Sequence, residues 1–394
     1  MNCNKKKILV VGRKLGIGGV EKALVSLLNS FDLEQFEVDF MLMIHEGELL
    51  SEVKTGINIL PGPKEYNWLS IRKDKLLQNM LTLLPHPLFF YAYLKHLIGG
   101  LVMNRMAQAR QYMWQDCIDA VPILEKNYYA VLDFTGLFRR YVLEKTIAEI
   151  KYTWIHSDYR TYGYNREIDK SLLTRFDNIC CVGDSCKRIF LSIYPDFKSK
   201  TIIVRNIIDT ELIKQQALGI GFTDKFDGIR LLDITRIDPN KGLDIAVKVC
   251  NKLKERGHKF RWYILGNDAL GYKQKLEKLI VEKDVQDCFI LLGFSKNPYP
   301  FMKQCDIIVH FSRYEGRSVA IDEAMSLCKP ILLTNYESAK DQISSGKNGI
   351  ICEFDIDSLV NQLSKLILDK DYRMYFSKQL ELQNFENTKF KLFD

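Results

Sequence analysis

Glu315 and Glu323 stand eight residues apart in HFSRYEGRSVAIDEAMSLCKPILLTN, residues 310–335. A carboxylate accepts two hydrogen bonds from a vicinal diol, so two acids around one turn could hold two sugar rings. DIIVHFS (306–312) has the apolar run of a buried strand and SVAIDEAMSL (318–327) the spacing of a helix. The turn between them places the N–H groups of Gly316, Arg317, Ser318 and Val319 at a helix start, where they lack intrahelical acceptors. The helix dipole lies behind them, so an anion or sugar hydroxyls would be welcome there. Asp322 is rotated about 100° from Glu323 on the helix and is expected to face elsewhere. The dipole favours acids near any helix start, so the pair alone does not establish a site.

Neighbouring residues strengthen the reading. TRIDPNKGLDIA (235–246) places Arg236 and Lys241 just after another strand. Two fixed cations suit a diphosphate, one as a planar fork and one as a point charge. GIGGVEKAL (16–24) puts Gly18 and Gly19 at a helix start, where backbone can approach phosphate or sugar closely. His156 closes the apolar run TWIH, and structural and functional readings of it weigh equally. His310, inside DIIVHFS, reads as core. No D-x-D stands at a strand end. DID (355–357) reads as a helix cap and DKD (369–371) as a helix terminus. No metal is therefore expected, and Arg236 with Lys241 would take the diphosphate.

These residues need elements to position them. Short apolar strands are expected at 7–12, 38–43, 57–60, 129–136, 152–157, 178–183 and 201–209, with helices between. After a polar, glycine-bearing stretch at 219–228 the pattern restarts, with strands at 229–236, 260–266, 288–293, 306–312, 330–335 and 348–353. Apolar strands alternating with helices imply a parallel sheet covered on both faces. The alternation occurs twice. The expected architecture is α/β with two facing Rossmann-like domains and a central ligand cleft at the carboxyl ends of the strands. The first domain would span 1–210 and the second 211–374, with 219–228 as linker and a helix over about 375–394 packing back on the first.

The 394 residues carry a net charge of +7, mostly in the first half. That bias suits a phosphate-bearing substrate or an anionic membrane face and is too weak for nucleic acid. Ten cysteines without zinc-type or C-x-x-C spacing read as buried reduced thiols of a cytosolic protein. Residues 76–104 are strongly apolar but broken by Pro85, His86, Pro87 and Lys95, so they fail as a transmembrane helix. They read as cleft-lining helices, with peripheral membrane contact as the alternative.

Taken together, EGRSVAIDE (315–323), GGVE (18–21), Arg236 with Lys241-Gly242, TWIHSD (153–158) and VRNIID (204–209) resemble the retaining GT-B glycosyltransferases, specifically glycosyltransferase family 4 with its E-x7-E signature. The resemblance covers nearly the whole chain. It implies transfer of a hexosyl or N-acetylhexosaminyl unit from a nucleotide-diphosphate sugar, a UDP-sugar being favoured, to a glycan or lipid-linked glycan. It implies no cofactor beyond that donor. Glu315 would contact the transferred sugar. The backbone from Gly316 to Val319 would contact that sugar and the β-phosphate, and Glu323 the ribose. Arg236 and Lys241 would neutralise the leaving diphosphate, Gly18 and Gly19 would close over it, and His156 would stand beyond the sugar. Gly266 and Phe294 would flank the base. Arg317 departs from the hydrophobic residue usual after the glycine, and LGNDALG (265–271) lacks the commoner G-x-G. A sugar-nucleotide epimerase of the same architecture is the alternative. A nicotinamide dehydrogenase is disfavoured because no acid ends the second strand.

Overall fold

Ile8 to Val11 and Leu231–Leu232 have essentially no exposed surface, as strands covered by helices on both faces require. The computed structural model describes residues 5–69, 76–102, 105–268, 271–383 and 392–393. It divides into two units, residues 1–206 with 390–394 and residues 207–389. The first holds β1 (Lys6–Gly12), β2 (Phe36–Leu42), β3 (Asn58–Pro61), β4 (Leu124–Asp133), β5 (Thr146–Ile155), β6 (Asn178–Cys181) and β7 (Thr201–Ile203). These form one sheet in the order β3-β2-β1-β4-β5-β6-β7. The second unit holds β8 (Ile229–Ile234), β9 (Phe260–Leu265), β10 (Phe289–Gly293), β11 (Ile307–His310), β12 (Ile331–Thr334) and β13 (Ile350–Cys352), ordered β10-β9-β8-β11-β12-β13. Adjacent strands are parallel in both sheets. In each, the order reverses beside the unit's first strand, so loops after neighbouring strands diverge there and leave a crevice.

The second sheet has a core on each face. Leu231, Trp262, Ile307 and Val309 pack with helices Leu243–Glu255 and Ile356–Leu368. Leu232, Tyr263 and Ile308 pack with helix Val319–Ser326. Two boundary expectations differ from the structure. The segment 219–228 is tied to the second unit, with Phe222 N–H donating to Gln304 Oε1 at 2.9 Å and the Arg230 guanidinium to Asp224 at 2.7 Å. Helix Lys370–Glu381 buries Phe376 and Leu380 in the second unit's cores. The ring of Phe393 lies 5.7 Å from Phe36 and 5.9 Å from Tyr152 in the first unit. Residues 384–391 of the expected terminal helix lie outside the described residues.

The apolar segment 76–104 forms helices Leu76–Leu83 and Pro87–Val102, with 103–104 outside the described residues. Leu83, Phe89, Ala92 and Tyr93 join the first unit's core, while Leu81, Leu84, Leu88 and Tyr91 are exposed. Among the described residues no helix is long and apolar enough to cross a membrane.

Gly242 caps helix Leu243–Glu255 with φ of +63°. A Cβ there would lie 2.0 Å from the carbonyl oxygen of Phe311. Gly242→Ala should destabilise the second unit by more than the roughly 1–2 kcal/mol that left-handed backbone costs an L-residue, because the overlap adds to it. An unchanged urea midpoint would contradict this.

Candidate active site

The loops after β8 and β11 are laced together before any side chain meets a ligand. Asp238 accepts from Asn240 N–H at 2.8 Å and shapes the turn Pro239–Lys241. The Asn240 carbonyl accepts from Arg313 N–H at 2.8 Å and from the Ser312 hydroxyl at 3.3 Å. The Arg313 guanidinium reaches both Asp244 oxygens, at 2.9 and 3.0 Å. Ser338 donates to the Glu315 carbonyl at 2.8 Å.

This lacing brings Lys241 onto Glu315. Lys241 Nζ donates to Glu315 Oε1, and both side chains are only 15% exposed. The same Oε1 lies 3.0 Å from His310 Nε2, and His310 Nδ1 lies 3.1 Å from Asp233 Oδ1. The result is a buried chain, Asp233–His310–Glu315–Lys241. Two expectations change here. The sequence reading sets Lys241 and Glu315 on separate parts of a substrate, yet they form an ion pair. It sets His310 in the core; the residue is buried, but as a link in this chain. Its signal in the sequence is a titratable residue in an apolar strand five positions before Glu315, with Asp233 likewise set among the apolar residues of β8.

Burial pushes the Glu315 carboxyl up, but Lys241 and His310 outweigh it and hold the pKa well below the usual range. Burial pushes the His310 imidazole down, but Asp233 and then Glu315 overcome it and raise its pKa to about 9. Both ring nitrogens face carboxylate oxygens, and the imidazolium donates to both. Burial raises the Asp233 pKa.

The helix start is partly occupied. Ser318 N–H donates to Gln342 Oε1 at 3.1 Å, and Gln342 Nε2 donates back to the Ser318 carbonyl and to Asp322 Oδ1, each at 2.8 Å. Arg317 grips Asp322 at 2.7 and 2.8 Å and the Asp341 carbonyl at 3.2 Å. The Ser318 N–H, expected to face a donor, is thus used internally, and so is the Arg317 guanidinium. Among the described residues the N–H groups of Gly316 and Val319 have no acceptor. Asp322 faces Arg317 and Gln342, whereas buried Glu323 accepts from the Tyr299 hydroxyl at 2.8 Å. Arg236 is exposed, and among the described residues its guanidinium has no ion-pair partner. A Cβ on Gly266 would lie 1.9 Å from the Thr235 carbonyl oxygen, so packing alone demands glycine there. Phe294 lines a groove of about 640 Å³ with Phe222, Arg261, Tyr263 and Phe301.

In the first unit, Gly18 is extended at φ −166° and precedes helix Gly19–Ser30. A Cβ on Gly18 would meet Glu21 Oε2 at 2.3 Å. His156 follows β5. Its Nε2 lies 2.5 Å from the Phe134 carbonyl oxygen, and burial lowers its pKa to about 4. The ring is therefore neutral near pH 7, with the proton on Nε2 and a lone pair on Nδ1. Among the described residues no group of three or more His, Cys, Asp and Glu could hold a metal ion.

Comparison with known proteins adds to this geometry. Staphylococcus aureus TarM, crystallised in mutant form with fondaparinux, α-GlcNAc-glycerol and UDP, superposes at a TM-score of 0.67 over 97% of both chains, with 12% identity. Anabaena Alr3699/HepE, crystallised with UDP and glucose, superposes at 0.64 over 96% of this chain and 94% of that one, with 14% identity. The fold is GT-B. Residues 225–382, within the second GT-B unit, match the family described as glycosyl transferases group 1. A Campylobacter jejuni protein, the N-acetylgalactosamine-N,N'-diacetylbacillosaminyl-diphospho-undecaprenol 4-alpha-N-acetylgalactosaminyltransferase, is 30% identical over 174 residues. That alignment covers 44% of this chain and 45% of the relative. The poly(ribitol-phosphate) alpha-N-acetylglucosaminyltransferase of Staphylococcus aureus is 24% identical over 136 residues, 34% of this chain and 27% of that one. The chain thus spans less than half the length of each of these two curated relatives.

The raised pKa of His310 has a stability consequence. Asp233, Glu315, Lys241 and Tyr336 surround the ring. The imidazolium contributes stability that is complete below the unfolded value of 6.5 and is lost as pH rises through about 9. The urea midpoint should fall between pH 7 and 10, and His310→Gln should fall less over that window. Parallel pH profiles for the two proteins would refute the assignment.

Proposed function

We propose that this protein is a retaining glycosyltransferase. It moves a hexosyl or N-acetylhexosaminyl unit from a nucleotide-diphosphate sugar, with UDP-sugars favoured, to a glycan or lipid-linked glycan in surface polysaccharide biosynthesis. One observation carries the reading: an ionised Glu315 beside Lys241, at a helix start with open N–H groups. Arg236 follows the neighbouring strand β8. The named relatives are glycosyltransferases, which disfavours the epimerase alternative.

In this reading the diphosphate meets Arg236, Lys241 and the N–H groups of Gly316 and Val319. Glu315 Oε2 accepts a hydroxyl of the transferred sugar. Glu323, oriented by Tyr299, accepts the ribose hydroxyls. The bond between the anomeric carbon and the phosphate oxygen breaks as the acceptor oxygen attacks the same face. The acceptor proton passes to the leaving phosphate, whose growing charge the cations stabilise. Neutral His156 offers a hydrogen-bond acceptor at Nδ1. An α product from an α-configured donor is retention, and α linkages stand in the names of both relatives. The cations replace a metal in this scheme. The protein would act in the cytoplasm, with exposed Leu81, Leu84, Leu88 and Tyr91 resting on the inner face of the membrane near a lipid-linked acceptor.

Incubation with UDP-glucose, UDP-N-acetylglucosamine, UDP-N-acetylgalactosamine and GDP-mannose should release nucleoside diphosphate from one donor, and EDTA should not stop it. Glu323→Ala should weaken that donor's binding by roughly 1.5–3 kcal/mol, the value of a hydrogen bond to a charged group. Release abolished by EDTA and restored by Mg²⁺ would refute the metal-free scheme, and no release from any of them would refute these donors.

Vesicles of phosphatidylglycerol should float the protein at low salt. Changing Leu81, Leu84 and Leu88 together to Ser should release it. A wild-type protein that stays at the bottom of the gradient would exclude the membrane arm.

A further inference from the structure

β11 is Ile-Ile-Val-His, and β8 carries Asp233 between Leu232 and Ile234. Asp233 and His310 are buried, at 1% and 3% side-chain exposure. A well-packed apolar pair would serve stability as well or better, since desolvating two charges offsets much of their attraction. The pair is therefore placed for something other than the core.

Its geometry says what. Glu315 Oε1 receives two cationic donors, the rigid His310 ring at 3.0 Å and the flexible Lys241 ammonium. Oε2 has no partner among the described residues and is not among the enclosed polar atoms lacking one. With one edge gripped by a planar ring, the carboxylate cannot rotate freely, and its other edge is presented for a ligand. Lys241 has a second task in the reading above, on which this inference rests: it must serve a diphosphate. Were Lys241 the sole cation on Glu315, each departure would strand a buried carboxylate, a costly state. Asp233 and Glu315 bracket His310, so Glu315 keeps a cation whether Lys241 stays or leaves.

We propose that His310, backed by Asp233, is a positioning residue that keeps Glu315 partnered while Lys241 is lent to the substrate diphosphate, and that fixes the Oε2 edge toward the sugar. Without His310, Glu315 competes with the diphosphate for Lys241.

UDP and inorganic pyrophosphate, titrated calorimetrically against the full chain, test this without requiring turnover. His310→Gln should weaken both ligands by about 10–100-fold, the usual effect of losing a hydrogen bond to a charged group. The double variant His310→Gln with Glu315→Gln should recover most of that loss, because Lys241 no longer has a carboxylate to leave. A purely structural His310 predicts no such recovery. Should His310→Gln fail to fold, Asp233→Asn serves: it should weaken UDP in the same direction, and Glu315→Gln should rescue it. Unchanged UDP affinity in the single variants, or no rescue in the double, overturns the inference while donor turnover by the wild type leaves the transferase reading intact. Wild-type binding of UDP with the predicted variant pattern, but no sugar release from any donor, supports the inference and sinks the transferase reading. A wild type that binds neither UDP nor pyrophosphate overturns both.

Discussion

A buried carboxylate is the constraint from which the second unit is organised. Glu315 sits in the loop after β11 with 15% of its side chain exposed. Ionised there, it must be met by cations and hydrogen bonds or be driven to take up a proton. Both Lys241 and His310 meet it on one oxygen, and each has to be delivered from a different place in the chain. Lys241 comes from the loop after β8, and His310 from the last position of β11 itself. The cost of burial is offset because the cations are held in place before any ligand arrives.

The fold supplies that delivery. β8 and β11 are neighbours in the sheet though Asp233 and His310 are 77 positions apart. Their following loops are joined through the Asn240 carbonyl, and Gly242 lets the backbone pass against Phe311 where no side chain would fit. Gln342 and Ser338 reach across from beyond β12 to hold the backbone of residues 315–318. Rigid strands and short, cross-braced loops fix the acid to within the tolerance that recognition of a sugar hydroxyl needs. The same bracing consumes donors that a bare helix start would leave open, as the Ser318 N–H and the Arg317 guanidinium illustrate.

The two GT-B units differ in how their polar residues are used. In the second, charged side chains gather at the carboxyl end of the sheet. In the first, the deepest charges, Arg139 on Asp169 at 2.5 Å, are locked inside the unit with Tyr159 at 2.7 Å. His156 is kept neutral by burial, which outweighs the opposing pull of the Phe134 carbonyl.

The sequence by itself determined the class of fold, because near-continuous apolar strands spaced by helical periods admit little but a doubly covered parallel sheet. It also determined Arg236, Lys241 and Glu315 as residues of the loops after strands and Glu323 as a residue of the helix that follows, since a strand-to-helix turn is a local feature. The linker was misplaced because a glycine-bearing polar stretch looks mobile; what pins 219–228 is Gln304 and Tyr263, contributed by distant strands and helices. The pairing of His310 with Asp233 was hidden for the same reason. Periodicity assigns a titratable residue in a strand to the core, and only the sheet order reveals that another charge lies beside it. The roles of Arg317 and Ser318 were likewise settled by Asp322 and Gln342, partners that only the packing of helix Val319–Ser326 against its neighbours could bring into hydrogen-bond range. Local chemistry can be read along the chain, but whether a charge is free, shared or already taken depends on which strands become neighbours.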